Sequence, residues 1–194
     1  MKILNLSVGV SRLGLITTII GKEGLTMMSE HHVDESMWES MKDHSLVPRA
    51  EMLATAAHEG QKDKAGEPYI GHPARVAAHA ARRCEERGVF GYEANLVIAA
   101  AWLHDVLEDT TVTEAQLRES FPDEVVDAVA AVTKHPGESL ETYFERVRAV
   151  PAAILVKKAD LDDNTDPQRT ARLGKETRER LAAKYGRARE LLNA

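Results

Sequence analysis

At 194 residues the chain is long enough to bury one sizeable core and gives no sign of two. Hydrophobic residues make up 43% of it and aromatic ones only 5%, and its Ala-rich periodic stretches, broken by single Gly or Pro, favour an all-α fold with no strand-like alternation. A formal net charge of −6 excludes a general nucleic-acid binder, and the single cysteine, Cys84, excludes an intrachain disulfide, suits a packing role and fits a reducing cytoplasm.

Residues 1–45 are expected to form a poorly ordered N-terminal extension, with the domain in 46–194. The apolar run in Met1–Ile20 is interrupted at Ser11-Arg12, too short for a membrane span and poor as a signal peptide, and Met27 or Met28 would serve as an alternative start. His31, His32 and His44 fall in this extension and receive no role.

Pro48 suits the first turn of a helix running to His58 and stopped by Gly60. From Gln61 to Gly71 the residues Gly66, Pro68 and Gly71 forbid regular structure, leaving a loop with Lys62 and Lys64 near its tip. His72 before Pro73 is expected at the cap of a helix over Ala74–Arg87 that Gly88 closes. A helix from about Tyr92 to Asp109 follows, and Thr113 with Gln116 makes a capping box for a short helix ending near Phe121. Pro122 opens a helix through Val132, whose first-turn acids Asp123 and Glu124 the macrodipole explains. Ser139 caps a helix to about Val150, Pro151 starts one through Asn164 that Pro167 stops, and Arg178–Leu192 is the last, with Leu181, Tyr185, Ala188, Leu191 and Leu192 inward.

Two of these helices carry acids where apolar residues predict burial. In Ala99–Asp109, continuous helix would stack His104 above Glu108 and Asp105 above Asp109, crowding three carboxylates beside one imidazole. Burying unpaired carboxylates is costly and like charges raise one another's pKa, so a cation resolves the conflict. The bland alternative is an amphipathic helix whose polar edge faces water. Asp160 and Asn164 repeat the pattern at i, i+4, with Asp163 beside them.

His72, His104, Asp105 and Asp160 thus become candidate ligands. Two imidazoles and two carboxylates suit Mn, Fe, Co or Zn better than Ca or Mg. Glu108 and Asp109, one turn on, could take or give the proton of a water, an arrangement suited to hydrolysis. Lys62, Lys64, Lys134, Lys157 and Lys158 are available to phosphate, although any one of them could be an ordinary surface lysine. His58, His79 and His135 compete for roles, with packing or exposure the plainer reading for the latter two.

In this order the residues resemble the H…HD…D signature of the HD-domain phosphohydrolases, all-helical metal enzymes. Gly66-Glu-Pro-Tyr-Ile-Gly-His72-Pro73, His104-Asp-Val-Leu-Glu-Asp-Thr110, Val132-Thr-Lys134, and Lys158-Ala-Asp160 with Asn164 are similar to the hydrolase domain of the bifunctional RelA/SpoT alarmone enzymes and its small stand-alone relatives. The resemblance covers about residues 48–192, and no synthetase half is expected. It implies a multi-helix HD bundle around one Mn2+ held by His72, His104, Asp105 and Asp160, with another divalent transition metal as the alternative. Glu108 and Asp109 would act on the water, and a guanosine polyphosphate would lose its 3′-pyrophosphate. Lys62, Lys64, Lys134 and Asn164 are the candidate substrate contacts.

Departures fall at the substrate-reading positions. The family has an arginine nine residues before the first ligand histidine, helping to hold the guanine, where this chain has Asp63. The family run Ala-Asp-Arg-Leu-His-Asn-Met-Arg-Thr is here Ala159-Asp-Leu-Asp-Asp-Asn-Thr-Asp-Pro167. An acid cannot replace a guanidinium against a purine, so weaker guanine preference is expected. Alternatives are a phosphohydrolase of another nucleotide or small phosphate ester, or a non-catalytic regulatory protein that binds metal and nucleotide. Neither nucleic acid nor membrane is expected as a partner, and the oligomeric state is not legible.

Overall fold

A computed structural model describes residues 37–38, 45–63 and 66–194. Apart from Met37, Trp38 and Ser45, the expected N-terminal extension lies outside the described residues, as does Lys64. The helices are α1 (Leu46–Ala57), α2 (Gly71–Glu86), α3 (Gly91–Leu103), α4 (Val106–Asp109), α5 (Glu114–Ser120), α6 (Asp123–Val132), α7 (Leu140–Ala149), α8 (Pro151–Asn164), α9 (Pro167–Thr170) and α10 (Lys175–Asn193). Among the described residues the one β-type pairing is an isolated bridge between Lys62 and Pro68.

The third helix is the axis of the bundle because it is apolar all round. Val97, Ala99, Ala100, Ala101 and Leu103 are buried, and α1, α2, α6 and α8 pack on its several sides. The alanines let those neighbours approach closely, and the wall they meet is largely branched: Leu53 on α1, Val76 on α2, Val125, Val126 and Val129 on α6, Val156 on α8. Truncating the fully buried Leu103 to Ala would cost roughly 2–5 kcal/mol. α10 covers α7 and α8, where Leu191 and Leu192 are buried. No helix among the described residues is long and apolar enough to cross a membrane.

Local signals explain most helix ends. Thr113 and Gln116 form the capping box of α5, and the Ser139 hydroxyl accepts the Thr142 N–H at the start of α7. The end of α6 is closed by Arg146, whose guanidinium donates to the carbonyls of Ala130, Ala131 and Thr133. α8 begins at Pro151 as expected, but Pro167 opens α9 rather than ending α8, with the Asp166 carboxylate accepting the N–H groups of Gln168 and Arg169.

Three expectations need correction. α1 begins at Leu46, placing Pro48 third in the helix, where a missing N–H still costs nothing. α2 begins at Gly71 with Ile70 at the cap, so His72 sits inside the first turn and is not the capping residue. The turn bonds from Gly71 N–H to Pro68 and from His72 N–H to Tyr69 start the coil early. The expected continuous helix to Asp109 breaks at His104-Asp105, a turn between α3 and α4.

Candidate metal centre

Three helices bring the candidate ligands together. The first turn of α2 carries His72, the residue after α3 is His104, and α8 carries Asp160 near its C-terminal end. One ligand atom from each lies within 4.8 Å of the others, and all three residues are buried. His72 Nε2 is 3.3 Å from His104 Nε2 and 3.4 Å from Asp160 Oδ1. Asp105 reaches the same point from the turn, its Oδ2 2.9 Å from His104 Nε2 and 3.6 Å from His72 Nε2. Two imidazole nitrogens facing each other across two carboxylates present lone pairs to one point, and that donor set fits a divalent cation.

Each ligand is oriented from behind. His104 Nδ1 lies 2.8 Å from the Ala101 carbonyl, so it donates there and leaves Nε2 unprotonated in the neutral ring. His72 Nδ1 lies 2.6 Å from Asp163 Oδ2. Asn164 Nδ2 donates to Asp160 Oδ1 at 2.5 Å and Lys157 Nζ to Asp160 Oδ2 at 2.8 Å. Burial works against the Asp160 charge, but the Lys157 ammonium and the two imidazoles outweigh it and hold the carboxyl well below its usual range.

The neighbouring carboxylates divide the work. Tyr69 donates to Asp105 Oδ2 at 2.5 Å and lies 3.3 Å from Asp109 Oδ2, tying the loop before α2 to both. Burial and those two carboxylates push the Tyr69 phenol far up, which keeps it a donor. Burial and the Asp105 charge also push the Asp109 carboxyl above the usual carboxylate range. Glu108 turns elsewhere, its Oε2 accepting the Lys134 backbone N–H at 3.0 Å. The helix break therefore separates the pair His104 and Glu108 that a continuous helix would have stacked.

Among the substrate candidates, Asn164 is at the cluster through its bond to Asp160, whereas Lys62 and Lys134 are exposed on loops at its edge. Lys157 is committed to Asp160 and lies 5.5 Å from the centre of the Tyr143 ring. Lys158 faces the other way, its pKa lowered by burial and by Arg87, Arg83 and Arg189. Asp63 closes its own loop: its Oδ1 accepts the Glu67 N–H at 3.0 Å, while Gly66 takes a φ of +84° that other residues rarely adopt. His79 faces Arg82 on α2, and His135 is exposed.

Several residues at the site carry no mark in the sequence beyond their types. His58 is 2% exposed, donates from Nδ1 to Gln61 Oε1 at 2.9 Å and stacks at 4.9 Å against Tyr69. Gln61 Nε2 in turn donates to the Asp109 carbonyl at 2.9 Å, and His58 Nε2 has no partner among the described residues. Burial pushes the His58 imidazole below its usual value. Asp163, Arg75 and Arg169 form a second group behind His72. A buried acid near the end of an apolar helix was the one signal for Asp163; for the arginines there was none.

Residues 50–142, which include His72, His104 and Asp105, match the family described as HD domain. The chain carries an HD domain. Asp160 comes from α8, beyond that matched stretch. This HD domain is 31% identical over 170 residues to a probable guanosine-3′,5′-bis(diphosphate) 3′-pyrophosphohydrolase of Synechocystis, covering 79% of this chain and 21% of that protein. It is 37% identical over 126 residues to the Aquifex aeolicus guanosine-3′,5′-bis(diphosphate) 3′-pyrophosphohydrolase, covering 61% and 17%. Against the bifunctional (p)ppGpp synthase/hydrolase SpoT of Escherichia coli it is 33% identical over 174 residues, covering 81% and 23%. The chain thus spans about a fifth of the length of these curated relatives. Its fold is shared with a solved metazoan orthologue of SpoT described as hydrolysing ppGpp, with a TM-score of 0.61 at 23% identity over 77% of this chain and 86% of that one. The HD domain here is related to the RelA/SpoT hydrolase domain.

Proposed function

We propose that this chain is a metal-dependent pyrophosphohydrolase that removes the 3′-pyrophosphate from a guanosine polyphosphate, with residues 46–194 as its catalytic unit. The observation that carries this reading is the convergence of His72 Nε2, His104 Nε2, Asp160 Oδ1 and Asp105 Oδ2 from α2, α8 and the turn after α3. These four would hold one divalent ion, Mn2+ by the family resemblance. When bound, such an ion supplies Lewis acidity toward a phosphate oxygen and makes water a stronger acid.

The chain's own groups supply the rest. Asp109, with its raised carboxyl and its link through Tyr69 to Asp105, accepts the proton of the attacking water. Glu108 holds the start of the α6–α7 loop through the Lys134 N–H and is the second candidate for proton transfer. The water oxygen bonds to the phosphorus next to O3′, the P–O3′ bond breaks, and the ribose oxygen regains a proton. Lys62 and Lys134 on the flanking loops meet the phosphates together with Lys64, and Asn164, fixed against Asp160, contacts the nucleotide. Asp63, turned into its own loop, favours the second reading, a phosphohydrolase with weak base preference.

The test is turnover of a panel of phosphate esters and nucleotides by the metal-stripped chain, with and without added Mn2+. Pyrophosphate release from guanosine 3′,5′-bis(diphosphate) only with Mn2+ is expected. Tight metal and nucleotide binding with no turnover of any substrate would replace the enzyme by a regulatory binding protein.

A further inference from the structure

We propose that Asp163 is a positioning residue that locks His72 as an Nε2 ligand, and that Arg75 and Arg169 hold its carboxylate aimed at Nδ1. The inference rests on the metal-site reading above and goes beyond it, since the family run has histidine at this place.

An ionised carboxylate only accepts hydrogen bonds, so the 2.6 Å contact between Asp163 Oδ2 and His72 Nδ1 places the proton of the neutral ring on Nδ1. The lone pair is then on Nε2, the atom that faces His104, Asp105 and Asp160. Asp163 is cut off from bulk solvent, being 0% exposed on the last turn of α8. A carboxyl so buried stays ionised only with compensation. Arg75 Nε supplies it at 2.6 Å on Oδ1, Arg75 Nη2 adds a longer contact at 3.4 Å to Oδ2, and Arg169 Nη1 donates to Oδ2. Guanidinium does not deprotonate, so this compensation is permanent. Room for it comes from Gly71, where an added Cβ would stand 3.1 Å from Arg75 Nη1.

The two histidines are therefore held differently. Behind His104 is a neutral carbonyl, and behind His72 a carboxylate clamped by two cations. A carboxylate partner makes the imidazole a stronger donor to a cation and fixes its ring plane. A plain staple joining α2 to α8 and α9 would use the same atoms for stability alone, and the experiment separates the two roles.

The full chain, labelled with 15N histidine and free of metal, is measured by long-range 1H–15N correlation at a pH where the rings are neutral. His72 is expected as the Nδ1–H tautomer in the wild type, and Asp163→Asn, whose amide can donate to Nδ1, is expected to show the Nε2–H form. Calorimetric titration of Mn2+ should then give a Kd about 10- to 100-fold weaker for Asp163→Asn, with Asp163→Glu recovering part of the loss. An Nε2–H tautomer in the wild type would overturn the proposal. So would a folded Asp163→Asn variant, by circular dichroism, that binds Mn2+ as tightly as wild type while merely melting earlier. Should Asp163→Asn not fold, the wild-type tautomer and the Asp163→Glu titration decide. A wild-type chain with the Nδ1–H tautomer that binds no Mn2+ would overturn the metal-site reading while upholding the hydrogen-bond assignment.

Discussion

His72, His104 and Asp160 are carried by three helices that pack on one another, each with its back to the core, whereas Lys62, Asp63 and Lys134 stand on the loops around them. Moving a ligand would mean moving α2, α3 or α8 against a close-packed interior. Changing a rim residue alters one exposed side chain. This asymmetry fits a cluster that keeps the full H…HD…D order while Asp63 and Pro167 depart from the family outside the core; Leu161, a third departure, is buried on α8 and leaves the four candidate ligands in place. Asp63 illustrates the freedom of the rim, since a carboxylate there serves the loop itself by accepting the Glu67 N–H. The candidate metal centre and the rim that would meet a substrate are thus under separate structural control.

The largest losses are expected at the cluster. Asp105→Asn should reduce metal content and hydrolysis together to background, because it removes one of two ligand charges; a variant that kept Mn2+ and full rate would remove Asp105 from the ligand set. Asp109→Asn should keep its metal and slow turnover by about 10² or more, and Glu108→Gln should do the same if it shares the proton transfer. Measuring bound metal beside rate separates these effects, and an Asp109→Asn enzyme at full speed would pass the role to Glu108. At the rim the loss is smaller. Comparing kcat/KM for guanosine and adenosine 3′-pyrophosphates under saturating Mn2+ should show guanine preference about ten- to a hundredfold weaker than in the bifunctional relatives. Strong guanine selectivity would show that another group reads the base.

The smallest effect is on stability. The Asp109 carboxyl is raised in the folded chain, so its ionisation opposes folding, increasingly as pH climbs from the unfolded carboxylate value through the folded one. Metal-free Asp109→Asn should therefore melt higher than wild type at pH 7, and the gap should close as pH falls toward about 3, below the unfolded carboxylate value, where wild type is protonated in both states. A constant gap between pH 8 and pH 4, followed by calorimetry, would mean that Asp109 titrates normally.

What could be read from the residues was what local chemistry dictates. The Thr113–Gln116 box, Ser139 and Pro151 mark helix starts that the fold keeps. Acids at the ends of apolar helices point to His104, Asp105 and Asp160, and the His-Pro start of a helix points to His72. Out of reach were pairings made only by packing. Tyr69 meets Asp105 across 36 positions and His72 meets Asp163 across 91, with no sequence feature linking either pair. The break at His104-Asp105 was equally hidden, because both residues keep right-handed helical dihedral angles while the hydrogen-bond ladder is interrupted. That break turns Asp105 into the cluster and Glu108 toward Lys134. In the sequence Lys157 reads as one more lysine available to phosphate, and its ion pair with Asp160 shows the opposite use of a half-buried cation, neutralising a candidate ligand from behind.

We propose that one buried cluster supplies the reaction while the rim tunes its substrate. It is tested most directly by adding Mn2+ in measured amounts to the metal-stripped chain and following pyrophosphate release from guanosine 3′,5′-bis(diphosphate). Activity should rise linearly and saturate at one ion per chain in wild type, and it should stay at background at every Mn2+ level in Asp160→Asn. Release of pyrophosphate by the metal-free chain, or by Asp160→Asn at the wild-type rate, would contradict it.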